Sequence, residues 1–144
     1  MYTNLLIASD GSELAGKAVA HGLALAKALG AKVTAVIVSD PWTVFNANDT
    51  TLFPIEEYER ACEEAAIKVL DDIAARASAD GVVCTTRHVK DQFPAEGILE
   101  AAKAAGSDLI VMASHGRRGV SRLLLGSQAN RVVTQSEIPV LICR

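Results

Sequence analysis

The chain has 144 residues, of which 50% are hydrophobic and only 4% aromatic, a size that suits a single domain over residues 1–144. Its formal net charge of −3 argues against bulk binding of nucleic acid, which requires a basic surface. No apolar run approaches the roughly 20 residues that span a bilayer and no signal peptide precedes the first strand, so we expect a cytoplasmic protein outside the membrane.

The first predicted unit is a strand, a helix and a second strand. Asn4–Ala8 and Lys32–Ser39 are apolar runs typical of buried strands. Between them, small and apolar residues recur at three- and four-residue spacing, which predicts a helix that lies close to the sheet. Ser12 is the expected N-cap of this helix, and Gly30 is expected to end it.

A long loop, Asp40–Pro54, follows the second strand and is rich in aromatic residues. It contains the only Trp of the chain and two of its three Phe residues, Trp42, Phe45 and Phe53. Two interpretations stay open: these rings form a flap or docking surface over a ligand, or they cap the end of the sheet.

The rest of the chain continues the alternation of helices and strands. The helix predicted over Ile55–Ala79 has an apolar face formed by Tyr58, Cys62, Ala65, Val69 and Ile73. The helix that begins at Pro94 and ends at Gly106 has a buried side formed by Ile98, Leu99, Ala102 and Ala105. The other predicted elements are strands at Val82–Val89, Leu109–Ala113 and Val140–Cys143 and a helix at Ser127–Gln135. This alternation indicates βαβ units and a parallel sheet.

The three cysteines do not form a redox or metal motif. Cys62, Cys84 and Cys143 are widely spaced without a Cys-x-x-Cys pair, and each falls in an apolar strand or on an apolar helix face. We therefore expect buried, unreactive thiols. His21 and His88 have no partner at metal-ligand spacing and are expected to be structural, so no metal site is assigned.

Two loops have the character of a ligand site. Ser9–Ser12 follows the first strand, and Ser114–Ser127, rich in glycine and arginine, follows the fourth. Ligands of open parallel sheets bind at the carboxyl ends of strands where the winding reverses, so both loops would flank one crevice if these strands are neighbours. Free N–H groups at the start of a helix bind phosphate. Alternatively, Gly116 and Gly119 only turn the chain and Gly126 only helps to cap a helix.

The spacing of small residues in the second loop resembles a motif of the universal stress protein family. Nucleotide-binding members of that family carry Gly, two residues, Gly, nine residues, Gly, and then Ser or Thr after the fourth strand. The matching stretch here is Ala113–Gly116, nine residues from Arg117 to Leu125, and Gly126–Ser127. Three further features are similar to the family and extend the resemblance over the whole chain: the Asp10 turn, the Met112 ending of strand four and the Ile138–Cys143 terminus.

The resemblance implies a three-layer α/β sandwich similar to adenine-nucleotide alpha-hydrolase-like proteins. Its five-stranded parallel sheet would have the order 3-2-1-4-5. The resemblance also implies a homodimer formed through Val140–Cys143, which would otherwise be a bare edge strand. Finally, it implies that the chain binds ATP, with Mg²⁺ held on the phosphates, and acts as a stress-response regulatory or protective module rather than as a fast enzyme.

Carried over residue by residue, the resemblance assigns part of the site to the base and sugar. Asp10 and Val38 would border the adenine. Met112, Ala113 and Gly116 would lie along the ribose and the first phosphates.

The remainder of the implied site holds the phosphate tail. Gly126, Ser127 and Gln128 would bind it through backbone N–H groups and the Ser127 hydroxyl. The other positions expected in the same site are Ala8, Ser9, Ser114, His115, Arg117, Arg118 and Ala129.

Ala113 departs from the motif, whose first position is glycine. Where a backbone must lie against a ligand, an added methyl group can cost on the order of 1 kcal/mol, so we expect binding to be retained but weakened. Arg117 and Arg118 have two open interpretations, as partners of phosphate oxygens or as charges of a solvated loop. His115 is expected to fix the turn rather than to act in catalysis.

Two other functions remain alternatives. One is a nucleotide-free dimeric interaction module, which the alanine in the motif makes conceivable. The other is a slow enzyme on the same fold that hydrolyses ATP or adenylates a substrate. Because the sequence has neither a P-loop motif nor an evident general base, no catalytic residue is assigned.

Overall fold

A computed structural model describes residues 1–42, 54–116 and 124–144 of the chain. Its elements in chain order are β1 (Asn4–Ala8), α1 (Glu13–Leu29), β2 (Lys32–Val38), α2 (Ile55–Ala79), β3 (Cys84–Val89), α3 (Pro94–Ala105), β4 (Leu109–Ala113), α4 (Ser127–Gln135) and β5 (Val140–Cys143). Within these residues the strands form one parallel sheet of order β3-β2-β1-β4-β5. The predicted order 3-2-1-4-5 is confirmed.

Helices cover both faces of the sheet because successive residues of a strand point to opposite sides. On one face, Leu5 and Ile7 of β1 pack with α1 and α2, and we call this cluster the α1/α2 core. On the other face, Leu6 and Ala8 pack with α3 and α4, and we call this the α3/α4 core. The result is the expected three-layer α/β sandwich.

The two central strands are buried along their whole length. Every residue of β1 and of β4 is buried, as a strand with helices on both faces requires. They pair in parallel, with Leu5 opposite Leu109 and Ile7 opposite Val111. The strand order reverses between β1 and β4, and open α/β sheets bind ligands at the carboxyl ends of strands at such a point.

Helix α1 begins and ends at the residues that the sequence indicated. The Ser12 hydroxyl oxygen accepts a hydrogen bond from the N–H of Ala15 at 3.2 Å. Gly30 adopts the left-handed conformation, with φ of 64°, at the other end. In the middle of the helix, a Cβ on Gly22 would lie 2.5 Å from Cδ1 of Ile7. The glycine therefore allows α1 to lie directly on β1.

The buried face of α2 differs from the predicted one. Its buried residues are Ala66, Leu70, Ile73 and Ala77. Of the predicted face, Ile73 is buried, Ala65 is exposed, and the partly buried residues are Tyr58, Cys62 and Val69. Because no residue in 55–65 is buried, the helix packs on the sheet only through its second half. Helical periodicity alone did not indicate where that contact begins.

Strand β3 begins at Cys84, two residues later than predicted. Gly81 has φ of 72°, and the N–H of Val82 donates to the carbonyl of Ala77 at 2.8 Å. This bond closes the end of α2, and the contact with β2 begins only at Val83, whose carbonyl accepts from the N–H of Val33 at 2.8 Å.

Helix α3 begins at Pro94 and ends at Gly106, as predicted. Its buried residues are Ala95, Gly97, Ile98, Ala101 and Ala102, whereas Leu99 and Ala105 are only partly buried. Across the part of the chain that the structure describes, no helix combines the length and apolarity needed to cross a bilayer.

The cysteines are less buried than predicted. Cys143 is buried, but the other two cysteines are partly exposed. Cys62 lies in the first half of α2, which does not pack on the sheet, and Cys84 lies on edge strand β3. Burial raises the pKa of the Cys84 and Cys143 thiols, which favours their protonated form. This agrees with low reactivity at these two residues.

Candidate functional site

The two predicted ligand loops leave neighbouring strands. β1 and β4 pair directly and end at Ala8 and Ala113 respectively. The Ser9–Ser12 turn and the start of the Ser114–Ser127 loop therefore emerge side by side at the carboxyl edge of the sheet. β1 and β4 are neighbours, so the two loops flank one crevice.

The turn after β1 is held by hydrogen bonds of its own residues. The N–H of Ser9 donates to the carbonyl of Val36 at 3.0 Å, and the Ser9 hydroxyl oxygen accepts from the N–H of Gly11 at 3.1 Å. Oδ1 of Asp10 accepts from the N–H of Ser12 at 2.9 Å. The Asp10 carboxylate is thus fixed at the start of α1, where the helix dipole favours a negative charge.

Gly116 brings the second loop against this carboxylate. A Cβ on Gly116 would lie 2.5 Å from Oδ2 of Asp10. A side chain at this position would displace the Asp10 carboxylate, so the glycine allows the two loops to lie in close contact.

The end of β4 is joined to the start of α4 through Ser114. The N–H of Gly126 donates to the carbonyl of Ser114 at 2.8 Å, and a Cβ on Gly126 would lie 2.7 Å from the same oxygen. The Ser114 hydroxyl lies 3.0 Å from Nδ1 of His115. Gly126 was predicted either to let a ligand approach or to help cap a helix, and its close contact with the Ser114 carbonyl is a further reason for a glycine there. The contact of His115 is thus local to the loop.

The first turn of α4 carries backbone donors that are free of partners among residues 1–42, 54–116 and 124–144. Its first helical hydrogen bond runs from the N–H of Asn130 to the carbonyl of Gly126, at 2.8 Å. The preceding N–H groups, those of Ser127, Gln128 and Ala129, have no carbonyl partner within the helix. The N-cap residue Gly126 has no side chain to satisfy them. Such a cluster of N–H groups at the positive end of a helix dipole suits a phosphate group.

Four of the five apolar residues predicted for the site lie on one side of the sheet. Ala8, Val38, Met112 and Ala129 belong to the α3/α4 core or pack against it. They therefore share a face with the helix whose N-terminus carries the free donors.

Ala113 lies on the other side of the sheet. It is 7% exposed and belongs to the α1/α2 core. The methyl group by which this chain departs from the glycine motif is therefore packed among residues that face away from α4.

Sequence reasoning missed the contact between Val38 and α3. A Cβ on Gly97 would lie 2.7 Å and 2.8 Å from the two γ-methyl carbons of Val38. Glycine inside a helix costs about 1 kcal/mol relative to alanine, so its presence at position 97 was a signal for close approach. Val38 is held in place by the first turn of α3.

The polar contacts between α3 and α4 were also missed. Oε1 of Gln128 accepts from the N–H of Ala95 at 3.1 Å, and Arg131 pairs with Glu96. Gln128 was expected to act through its backbone alone. These partners are far apart in the sequence, and no local pattern relates them.

His88 lies at the strand end next to Val38. Its Nε2 is 2.8 Å from the hydroxyl of Ser39. Burial lowers the pKa of His88 and the Lys90 ammonium lowers it further, while the Glu63 carboxylate acts in the opposite direction. The lowered pKa favours the neutral form of the imidazole. Among residues 1–42, 54–116 and 124–144, no group of three or more His, Cys, Asp or Glu side chains is arranged to hold a metal ion.

A cavity of about 240 Å³ lies on the other face of the sheet, between α1 and α2. Its lining includes Ser9 from the β1 turn and the charged residues Lys68, Asp72 and Arg76 of α2. Of the predicted site residues that the structure describes, only Ser9 borders it. This cavity is separate from the free donors of α4.

Some predicted residues lie outside the described part of the chain. They are Arg117 and Arg118 of the second loop and Phe45 and Phe53 of the aromatic loop. Their two interpretations stay open, and the arginine contacts stay predictions.

Comparison with known proteins gives one consistent result. The model of the universal stress protein family matches residues 1–144, the whole chain. A Thermus aquaticus relative, a universal stress protein in the 3′ region of the QAH/OAS sulfhydrylase, is 35% identical, and the match covers 100% of both chains. The solved structure of the protein MJ0577 superposes with a TM-score of 0.84 at 27% identity, covering 99% of this chain and 96% of that one.

Two further solved structures share the fold and contain adenine nucleotides. One universal stress protein is in complex with cAMP, with a TM-score of 0.74 at 23% identity, covering 99% of this chain and 97% of that one. Another, from Archaeoglobus fulgidus, is in complex with dAMP, with a TM-score of 0.69 at 18% identity, covering 99% and 98%. At these identities the likeness concerns the fold.

Proposed function

The chain belongs to the universal stress protein family, and on that premise we propose that it binds ATP across the carboxyl ends of β1 and β4. The adenine lies toward Asp10 and Val38, and the phosphates lie at the N-terminus of α4. Mg²⁺ binds the phosphates and keeps mostly water ligands. The complexes of two proteins of the same fold with cAMP and with dAMP support the class of ligand.

The observation that carries the proposal is the hydrogen bond from the N–H of Gly126 to the carbonyl of Ser114. It holds the free donors of α4 against the residues that follow β4. Two residues after Ser114, Gly116 contacts the Asp10 carboxylate. One short segment, Ser114–Gly116, thus links a cluster of backbone donors to a fixed carboxylate on the neighbouring strand.

These two groups determine the orientation of the nucleotide in the site. The N–H groups at the start of α4 attract phosphate oxygens, whereas the Asp10 carboxylate repels them. A carboxylate instead accepts hydrogen bonds from amino or hydroxyl groups, which the base and the ribose carry. The nucleotide is therefore oriented with its phosphates toward α4 and its nucleoside toward Asp10.

We assign the bound ATP a regulatory role and not a catalytic one. Nδ1 of His115, a titratable group beside the donor cluster, is already engaged with the Ser114 hydroxyl. The module responds to stress through its nucleotide-bound state, and any hydrolysis is slow.

The phosphate contact is tested by removing one backbone donor without disturbing the helix. Ser127 is the first residue of α4, where proline is well tolerated, and Gly126 before it has φ −58° and ψ 152°, an extended conformation that proline accepts. Ser127→Pro removes both the N–H and the hydroxyl, whereas the matched control Ser127→Ala removes the hydroxyl alone. Isothermal titration with ATP and with adenosine separates phosphate contacts from contacts to the nucleoside.

We expect Ser127→Pro to weaken ATP about tenfold or more, because a hydrogen bond to a charged group contributes about 1.5–3 kcal/mol. Ser127→Ala should have a smaller effect, and neither variant should change adenosine binding. If the wild-type chain binds no ATP, or if Ser127→Pro binds it as well as the control does, the proposal is wrong. Nucleotide released from the denatured, purified wild-type protein would identify the ligand independently.

We also propose that the chain forms a homodimer through β5. This strand lies at the edge of the sheet and pairs with β4 on one side only. The carbonyls of Pro139 and Cys143 accept from β4, so the N–H and C=O groups of Val140 and Ile142 point to the free side. Leu141 is 39% exposed. An edge with unpaired backbone groups and apolar side chains suits pairing with its own copy.

A further inference from the structure

The side chain of Gln128 caps a neighbouring helix. Pro94, the first residue of α3, has no N–H, so Ala95 carries the first free donor of that helix. The N-cap residue Phe93 makes no side-chain hydrogen bond to this turn. Oε1 of Gln128 accepts from the N–H of Ala95 at 3.1 Å and so supplies a cap from another helix. The backbone N–H of Gln128 itself is one of the free donors of α4.

A second link lies one helical turn further along α4. Arg131, three residues after Gln128 and on the same side of the helix, pairs with Glu96. The other carboxylate oxygen of Glu96 is buried without a hydrogen-bond partner among the described residues. Removing Arg131 would leave this carboxylate uncompensated, so Gln128 is the cleaner position at which to test the contact between the helices.

The capped turn of α3 also supports the nucleoside end of the proposed site. Ala95 is fully buried, and two residues later Gly97 lies against the methyl groups of Val38. The first turn of α3 therefore contacts Val38 on one side and Gln128 on the other. One hydrogen bond thus joins the wall expected beside the adenine to the helix expected to bind the phosphates.

We propose that Gln128 is a positioning residue that fixes the distance between the nucleoside end and the phosphate end of the site. This inference rests on the proposed function and deepens it. The hydrogen bond between Gln128 and Ala95 holds the donors of α4 at the position that the phosphates occupy when the base contacts Val38. Without it, α4 shifts relative to α3, and the phosphates lose part of their binding because the donors are no longer preorganised. A ligand without phosphates does not depend on the link.

The test uses Gln128→Met in the full chain, since methionine has a similar length and lacks the acceptor oxygen. The matched control is Gln135→Met, the same change at an exposed residue at the end of α4. Three quantities are measured: the affinity for ATP, the affinity for adenosine, and the hydrogen-exchange rate of the Ala95 amide by NMR. The ratio of the two affinities is a readout that a general loss of stability would not change.

We expect Gln128→Met to weaken ATP about three- to tenfold while adenosine changes less than twofold, and to accelerate exchange at Ala95. The control should match the wild type in all three measurements. Equal weakening of both ligands, or unchanged ATP binding with accelerated exchange, would overturn the positioning role and leave the proposed function intact. A wild-type chain that binds adenosine but gains no affinity from the phosphates would overturn the proposed function and this inference together.

Discussion

The Cα of Gly116 lies against the carboxylate of Asp10, so that a Cβ at position 116 would be only 2.5 Å from Oδ2. The other oxygen of this carboxylate holds the N–H of Ser12 at the start of α1. A methyl group on Gly116 would therefore push Asp10 away from the turn that it stabilises. The contact couples the loops after β1 and β4. Its loss should therefore affect both the Asp10 turn and the nucleotide site.

Gly116→Ala is expected to lower the free energy of unfolding by about 1 kcal/mol, the usual scale for a displaced hydrogen-bonded group. Nucleotide affinity should fall as well, because Asp10 moves. The contact predicts a specific rescue: in an Asp10→Ala background the same substitution should have little further effect. A double-mutant cycle by urea denaturation measures this coupling. Additive effects of the two substitutions would show that the residues act independently.

Gly126→Ala adds only one methyl group, but it should strongly disturb the donor cluster of α4. The new Cβ would lie 2.7 Å from the carbonyl oxygen of Ser114, a backbone atom that cannot rotate away. We expect the hydrogen bond between these residues to break and ATP binding to fall at least tenfold in a folded protein.

A matched control is Gly16→Ala on α1, where nothing lies within 4 Å of the added Cβ. Because alanine is the better helix former, the control should stabilise the chain by up to about 1 kcal/mol. Circular dichroism and titration calorimetry report on fold and binding respectively. ATP affinity within twofold of wild type in Gly126→Ala would contradict the assigned role of this contact.

Ala113→Gly tests the departure from the family motif. The Ala113 methyl packs in the α1/α2 core, so its removal should lower the free energy of unfolding by about 1 kcal/mol through lost burial and added chain entropy. ATP affinity should change less than twofold, contrary to the expectation from the sequence that this methyl weakens binding. If restoring the glycine raises ATP affinity tenfold without a loss of stability, the methyl does face the ligand.

The sequence predicted the elements and their order because those features depend on local patterns. The strands with continuous apolar runs, β1 and β4, begin and end where predicted. The limits of α1 follow from its capping residues. The neighbour relation of β1 and β4 came from the family resemblance, since no local pattern determines which strands pair.

Contacts between distant residues were the part that the sequence did not predict. Gln128 and Ala95 are 33 residues apart, and nothing near either residue indicates the other. Gly126 was correctly selected, but its partner is the carbonyl of Ser114 and not only a ligand. Ala65 was predicted to be buried on α2 but is exposed, and Ala66 is buried instead. Periodicity gives the spacing of a buried face and not the point at which the helix meets the sheet.

The proposed dimer predicts a concentration-dependent mass that is sensitive to charge on β5. Leu141→Glu places a carboxylate on the exposed edge strand, and in a symmetric pair the two copies bring like charges together. We expect sedimentation equilibrium at micromolar concentration to give a dimer for the wild type and a monomer for this variant. Leu124→Glu, the same change at a residue that is 71% exposed, serves as the control. A monomeric wild type, or a dimer unaffected by Leu141→Glu, would exclude pairing through β5.

The amino edge of the sheet carries a carboxylate whose hydrogen bonds make stability depend on pH. Oδ2 of Asp108 accepts from the N–H and the hydroxyl of Thr3 at 2.8 Å and 2.9 Å, and Oδ1 accepts from the N–H of Asn4 at 3.1 Å. Burial alone would raise the pKa of Asp108, but these hydrogen bonds outweigh it and lower the pKa below its usual value.

Because the folded-state pKa of Asp108 is the lower one, the unfolded chain binds more protons between the two values. The contribution to stability is therefore complete above about pH 4, near the unfolded pKa of aspartate, and is lost as the pH falls through the folded pKa.

Asp108→Asn should cost about 0.5–1 kcal/mol at pH 7, since one acceptor oxygen is lost and the site is partly solvated. The difference from wild type should shrink toward pH 2. Urea denaturation across this range, with Asp71→Asn on the exposed face of α2 as the control for loss of one charge, measures it. A difference that is constant with pH would mean that the Asp108 carboxylate is not stabilised by Thr3 and Asn4.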